Sequence, residues 1–442
     1  MTNIKEEIPI EIENILKNKR LWDKIIIDEL DKKIVKEYEA REIIFLCAMG
    51  SLVKNANYCS FNLLIHSDSS AGKDYITKNV LSIVPERSLF SRTRISPTVL
   101  NYWKPYLRHG LTSWDGCMLY LPDISESVLN SDAFKLMCSD GSHITITEKG
   151  EAKDIEIKGK PVIFTTTATS TPNEEIINRF SIIHLTENEE QTLNIMKRQA
   201  NKAIYGNTEK YGDEMMNALN FLKRYNVKIP FADKIVKFFP KKRVTERRNF
   251  DRFLDFIKAI TCVHQLQREM EGDCLIAEIG DYDKAKDIFM NIQRGVGAIP
   301  LNKRQKDIVN VLKKAEKLSL AEIHTRLGDY IALQNLRPHL NTLVNLRVLN
   351  QQHEMDHLNR EAIKYELSEE YVNFKPIILP NGIELDSNDS NDNNSSNDSN
   401  DTSINLQLSL NKAQINALPS LPSLPSLLLK PSFPVENQQN DN

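Results

Sequence analysis

The chain has 442 residues, a formal net charge of -3 and six cysteines. That length allows two or three domains at roughly 100–200 residues each. The near-neutral charge excludes a globally basic nucleic-acid binder, so any basic surface must be local, and cysteines at 47, 59, 117, 138, 262 and 274 without a C-x-x-C pair argue against a disulfide framework or a zinc site.

Residues 1–58 carry apolar side chains at helical spacing (Ile8, Ile10, Ile12, Ile15, Leu16; Ile25, Ile26, Leu30, Ile34; Ile43, Ile44, Leu46), which predicts an N-terminal segment of two or three helices. Nothing at the start combines a basic stretch with an apolar run, and no segment approaches the ~18 consecutive apolar residues of a membrane span. The expectation is a soluble, cytoplasmic protein with no membrane partner. From 59 to 186 the texture becomes short apolar runs, each followed by a polar turn and a helical stretch: FNLLI (61–65), SLFSRT (88–93), CMLYL (117–121), PVIFTTT (161–167) and SIIHL (181–185). This alternation predicts an α/β nucleotide-binding core with a sheet and crossover helices. Residues 187–298 return to helical patterning and include the basic KIVKFFPKKRVTERRNFDR (234–252), which offers phosphate contacts or a solvated helix face. Residues 299–370 show three helical periods, a Gly stop after the second, and a segment able to form a two-stranded wing. The succession resembles a winged helix-turn-helix with 332–349 as recognition helix, on which Gln334, Asn335, Arg337, His339 and Asn341 would face a groove. From 376 to 442 the composition collapses into Ser, Asn and Asp and then Leu-Pro-Ser repeats, a disordered tail.

The stretch HSDSSAGKDY (66–75) places Gly72 and Lys73 between an apolar run and a helical segment. In that context the backbone of Ser69, Ser70, Ala71 and Gly72 can wrap phosphates at a helix N-terminus while Lys73 supplies positive charge. An ordinary strand-to-helix turn is the other reading. Two letters depart from a phosphate-binding loop: Ser67 stands at its first glycine, and Asp74 at its magnesium-binding Ser or Thr. Downstream, CMLYLPD ends in Asp123, either an acid beside an attacking water and metal or a helix cap, a service Ser125 also offers. Pro122 fills the place of a first acid. Because Mg2+ selects hard oxygens rather than particular residues, Asp74 would supply the carboxylate that Pro122 removes, making Asp74 and Asp123 the metal ligands. Thr165, Thr166 and Thr167 end a strand, where Thr166 or Thr167 could orient water or merely serve β propensity. Arg179, just before a buried strand, suits an arginine finger inserted into a neighbouring subunit, or an ion pair with Glu174 or Glu175.

The order SSAGKD, LYLPD, charged hairpin, IFTTT, INRF, helical lid and winged helix resembles the AAA+ ATPases, over residues 40 to about 370. The branch most resembled inserts a β-hairpin before the sensor-1 strand, as minichromosome maintenance and superfamily 3 helicases do, together with helicase-like ATPases of plasmids and viruses. The hairpin here is SHITITEKGEAKDIEIKGKPVIF, alternating Ile144, Ile146, Ile155 and Ile157 around a turn with Lys149, Gly150 and Lys153. The resemblance implies ATP and Mg2+ as cofactors, held by residues 69–75, with Tyr75 closing that stretch. It makes Lys73 the phosphate lysine, Asp123 the acid near the water, Thr166 or Thr167 sensor 1, Arg179 the finger and Arg248 (or Arg247) the sensor-2 arginine. Lys149, with Lys153, would touch single-stranded DNA in the channel of a homo-oligomeric ring, hexameric in those families, and Arg337 would meet duplex DNA. The implied function is an ATP-dependent DNA helicase or translocase in replication. A replication initiator or regulator that binds nucleotide without turnover, and an ATPase with a protein client, are the alternatives.

Overall fold

A computed structural model describes residues 8–67, 72–85, 88–139, 142–148, 151–168, 172–206, 210–241, 245–296, 301, 303–315, 317–328, 331–355, 361–372 and 377–382. Ser69, Ser70, Ala71, Lys149, Gly150 and nearly all of the tail expected from 376 lie outside the described residues.

The chain enters through α1 (Ile10–Leu16) and α2 (Leu21–Asp23), passes a π-helical turn Lys24–Glu29, and reaches α3 (Tyr38–Met49). Of the apolar positions read at helical spacing, Leu16, Ile25, Ile26, Leu30, Ile34, Ile43, Ile44 and Leu46 are buried and Ile8, Ile12 and Ile15 half-buried, but Ile10, at the start of α1, is exposed. Burial all round α3 makes it a central helix rather than a surface one. It even encloses Arg41, whose guanidinium donates to Asp31 (2.6 Å) and to the carbonyls of Ile26 (3.1 Å) and Ile34 (2.8 Å).

Each of the five apolar runs forms a strand. Between the helices α4 (Lys73–Leu81), α5 (Glu126–Leu129), α6 (Asp132–Met137) and α7 (Glu174–Ile177) run β1 (Leu63–His66), β2 (Leu89–Ser91), β3 (Met118–Leu121), β6 (Val162–Thr167) and β7 (Ser181–His184). They pair in parallel in the order β2-β3-β6-β1-β7. β1, β3 and β6 are buried along their whole length, as a parallel sheet covered on both faces demands. Strand alternation divides the interior in two. Leu63, Ile65, Tyr120 and Phe164 join one core with α3 and α4, whereas Leu64, Leu119 and Ile163 join another with Trp114 and Phe134.

Between β3 and β6 stands an antiparallel pair, β4 (Ser142–Glu148) and β5 (Glu151–Ile157). Ile144 lies opposite Ile155 as the alternation predicts, but Lys153 lies opposite Ile146. Lys153 is therefore a mid-strand residue and not part of the turn, because the ladder extends to Glu148 and Glu151.

After β7 come α8 (Glu189–Tyr205), α9 (Asp213–Asn220), β8 (Asn226–Lys228), α10 (Ala232–Val236), α11 (Thr245–Val263), β9 (Met270–Glu271), β10 (Cys274–Ile276) and α12 (Ile279–Val296). The purely helical reading of 187–298 overlooks the small sheet β8-β10-β9, whose strands of two or three residues are too short to show a period. Leu16, Ile44, Leu63, Phe253 and Ile288 share one core. The divisions drawn at 58/59 and 186/187 from the change in texture thus run through a single packed interior.

Residues 377–382, expected to open the disordered tail, instead join the main interior: Ile377 and Leu379 are buried in the core that holds Tyr282, whose hydroxyl donates to the Pro380 carbonyl (2.8 Å). The part before them, residues 301–372, has its own core. It comprises α13 (Lys303–Leu312), β11 (Leu318–Ser319), α14 (Leu320–Leu327), α15 (Leu333–Asn345), β12 (Leu349–Met355), β13 (Glu361–Leu367) and α16 (Glu369–Val372), with sheet order β11-β13-β12. A capping box, Ser319 with Glu322, opens α14, and Gly328 at φ +66° closes it. Along α15, Leu336, Leu340 and Leu343 face the core while Gln334, Asn335, Arg337 and Asn341 are exposed. Among the described residues no helix is long and apolar enough to cross a membrane.

Candidate functional site

The candidate site lies at the carboxyl edge of the parallel sheet. Gly72 precedes α4 with φ +86°. A Cβ there would meet nothing within 4 Å, so the demand for glycine is one of backbone conformation alone. Lys73, the first residue of α4, is only 8% exposed. A nearly buried ammonium at a helix start is well placed to meet an anion, since both its own charge and the unpaired N–H groups there favour one.

The first turn of α4 is anchored to two strands through Asp74. Its Oδ1 accepts hydrogen bonds from the Tyr120 hydroxyl (3.0 Å) and the Thr166 hydroxyl (2.6 Å). Parity explains the meeting, for Tyr120 on β3 and Thr166 on β6 belong to the sheet face that α4 covers. Thr165 points the other way and its hydroxyl bonds the Leu121 carbonyl (2.9 Å). Among the described residues the second carboxylate oxygen, Oδ2, has no hydrogen-bond partner. Burial, then the neighbouring Asp74 charge and hydrogen bond, push the pKa of the Tyr120 hydroxyl well above its ordinary value, so it stays a proton donor at neutral pH.

Thr166 also fixes the acid strand. Its Oγ1 accepts the Asp123 N–H (2.8 Å), and its carbonyl accepts the Ile124 N–H (3.0 Å). Asp123 is held at φ +48° with its side chain exposed, and the N-cap of α5 is Ser125, not Asp123. Thr166 thus links Asp74 to Asp123. The oxygens of these two carboxylates suit Mg2+, which takes one or two protein carboxylates and completes its shell with phosphate and water oxygens. Among the described residues no three His, Cys, Asp or Glu side chains converge on a metal-sized site, so the donor set fits a phosphate-bound ion rather than an all-protein cage. Tyr75 is half exposed, and its hydroxyl donates to the Lys33 carbonyl (2.9 Å).

Other site candidates lie elsewhere. Arg179 precedes β7, at the amino edge of the same parallel sheet, and in the single chain it pairs with Glu175 (2.6 Å) and donates to the Lys135 carbonyl (2.5 Å) and the Ser139 hydroxyl. Arg248 lines a cleft with Arg179. The structure therefore does not bring Arg248 to Lys73 within one chain, contrary to the nucleotide-binding role expected of a sensor-2 arginine. Lys153 on β5 and Arg337 on α15 are exposed, and Lys149 lies outside the described residues. Tyr120 escaped the sequence reading because a tyrosine inside a buried apolar run carries no mark of what its hydroxyl touches.

Residues 8–220 match the model of a family described as the MTBMA_p00010 P-loop domain. The match begins among the N-terminal helices, in keeping with the core they share with the sheet. No curated protein matches the chain. The P-loop match and the five-stranded parallel sheet together make residues 8–220 an α/β P-loop core, a nucleotide-binding fold.

Proposed function

We propose that the protein is an ATP-hydrolysing P-loop motor of the AAA+ type that assembles as a ring and moves along DNA, in the replication of a mobile element. The observation that carries the reading is the clamp on Asp74 beside Lys73. A carboxylate at the first turn of a phosphate-binding helix is repelled by a triphosphate unless a cation lies between them, and Tyr120 with Thr166 hold one oxygen while leaving the other to meet that cation. The strand order, with β6 between the loop strand and the acid strand, supports the AAA+ assignment.

Lys73 faces the terminal phosphates, together with the N–H groups that open α4. Asp74 and Asp123 hold Mg2+, which when bound neutralises charge on the phosphate oxygens. Asp123, fixed by Thr166, presents its carboxylate to the attacking water. Thr166 spends its hydroxyl proton on Asp74 and accepts the Asp123 N–H, so it acts by positioning both acids, while Thr167 is fully buried on the strand face it shares with Thr165. Arg179 acts on the nucleotide of the neighbouring copy, exchanging Glu175 for phosphate, with Arg248 beside it. The antiparallel pair β4–β5 serves as the DNA-gripping hairpin through Lys149 and Lys153, and α13, α14 and α15 with the sheet β11-β13-β12 serve as a winged helix with Arg337 toward duplex DNA. Contacts of this kind make binding salt-sensitive and nearly sequence-blind.

ATP turnover measured with and without single-stranded DNA tests the reading. Turnover should require Lys73 and rise with DNA, and mixing inactive Lys73→Ala and Arg179→Ala chains should restore part of it. Turnover indifferent to DNA would instead point to a protein client. A second reading, a nucleotide-bound initiator that does not hydrolyse, is favoured by the engagement of Arg179 with Glu175 and of Thr166 with Asp74; it expects tight ATP binding without turnover.

A further inference from the structure

The amino edge of the parallel sheet, away from Lys73, holds a cleft of about 260 Å³ whose lining includes Ser60, Lys160, Arg179, Arg248 and Arg252. It adjoins a second recess that shares Asn178, Arg179 and Arg248 and extends to Arg347. Four cations line the first cleft, against one acid, the exposed Asp251.

Arg252 is the anomaly. It is 8% exposed, its Nε is buried without a hydrogen-bond partner, and none of its guanidinium nitrogens makes a hydrogen bond or ion pair among the described residues. The carboxylate one turn along α11, Asp255, is committed to the Ser60 hydroxyl (2.6 Å), the Asn57 N–H (3.2 Å) and Lys258 (2.9 Å). Burial pulls the Arg252 guanidinium below its ordinary value, and the nearby Arg248 charge acts in the same sense. The contrast with Arg41 is instructive. That arginine is fully buried and its Nε is likewise unpaired, yet its two terminal nitrogens have a carboxylate and two carbonyls. A buried guanidinium without a partner is a costly arrangement, and one that opens onto a cleft rimmed by three further cations calls for an anion.

We propose that this cleft is a second phosphate-binding site, separate from the loop at Lys73, with Arg252 as its buried anchor and Lys160, Arg179 and Arg248 at its rim. The planar guanidinium forks of three arginines match phosphate oxygens in geometry as well as charge. The phosphate comes either from the polyphosphate tail of a nucleotide carried by a second copy of the chain or from a nucleic-acid backbone. The demand for an anion arises from Arg252 itself; only the nucleotide-tail source rests on the function proposed above, which already places Arg179 and Arg248 at a neighbouring copy's nucleotide, and pyrophosphate binding is tested without it.

The experiment uses full-length Lys73→Ala protein, so that the loop site does not contribute. Pyrophosphate and a single-stranded oligonucleotide are titrated separately by calorimetry, and the titrations are repeated with Arg252→Met and with the exposed-rim variant Arg248→Ala. Pyrophosphate should bind, and Arg252→Met should weaken it about tenfold or more. In anion-free buffer Arg252→Met should melt no lower than its parent, since methionine fills much of the stem's space and removes an unpaired charge. Saturating pyrophosphate should raise the melting temperature of the parent and not of the variant. Oligonucleotide binding that depends on Arg252 and is displaced by pyrophosphate assigns the phosphate to nucleic acid; pyrophosphate binding without it assigns a nucleotide tail. The proposal is overturned if neither ligand's affinity changes with Arg252→Met. Should that variant not fold, unchanged affinity for both ligands in Arg248→Ala overturns it equally.

Discussion

Asp74 shows how one side chain can reorganise a site. At its position a hydroxyl would donate or ligate, but a carboxylate can only accept, and two donors from different strands have been brought to it. Tyr120→Phe removes one donor and leaves the ring in place. The expected cost is about 1–2 kcal/mol in urea denaturation, at the level of a hydrogen bond to a charged group. If the clamp orients Asp74 toward a cation, the same variant should also raise several-fold the Mg2+ concentration needed for ATP binding, with metal-free ATP binding unchanged. The two effects should be lost in an Asp74→Ser background, because residues in one network are not additive. Strict additivity of the two substitutions would argue against the clamp, and undiminished metal-dependent turnover in Asp74→Ser would remove that carboxylate from metal binding.

Among the elements, the join between α11 and α12 is where polar groups do structural work inside the core. Asp281, in the first turn of α12, is fully buried and receives Arg268 through two nitrogens (2.9 and 2.7 Å), the Thr261 hydroxyl (3.0 Å) and the Glu278 N–H (3.0 Å). The network ties the end of α11 to the start of α12, with Arg268 supplied by the segment between α11 and β9. Removing one member leaves the other charge buried, so Asp281→Ala should destabilise the fold by about 3–5 kcal/mol. Chemical denaturation followed by circular dichroism measures this, and a loss under about 1 kcal/mol would show the network to be dispensable.

For the whole molecule, the described residues divide by core rather than by sequence texture. The interior that holds Leu16, Leu63 and Ile288 needs segments more than 200 residues apart, whereas the buried residues around Ile308, Leu340 and Tyr365 all fall within 301–365, with Ile177 of α7 packed against them from outside. A fragment of 301–372 should therefore melt cooperatively by itself, as a unit with its own apolar interior can. A fragment of 59–186 should not, since one face of its sheet would lose the N-terminal helices, α11 and α12. Thermal circular dichroism of the two fragments decides the point, and a cooperative transition in the shorter-range sheet fragment would refute it.

Local chemistry was sufficient for much of this protein. Buried parallel strands must be continuous apolar runs, so all five were legible, as were Gly72 and Lys73 at the turn that follows the first. The glycine stop after α14 and the alternation of β4 and β5 were legible for the same reason: each depends on neighbours a few residues away. What the tertiary structure alone decided depends on which face a residue shares with a distant one. The meeting of Tyr120 and Thr166 on Asp74, the short sheet β8-β10-β9, the single core formed by both ends of the first 296 residues, and the placement of Arg248 and unpaired Arg252 at the edge opposite Lys73 all arise from contacts across the fold, and no period or motif in the chain encodes them.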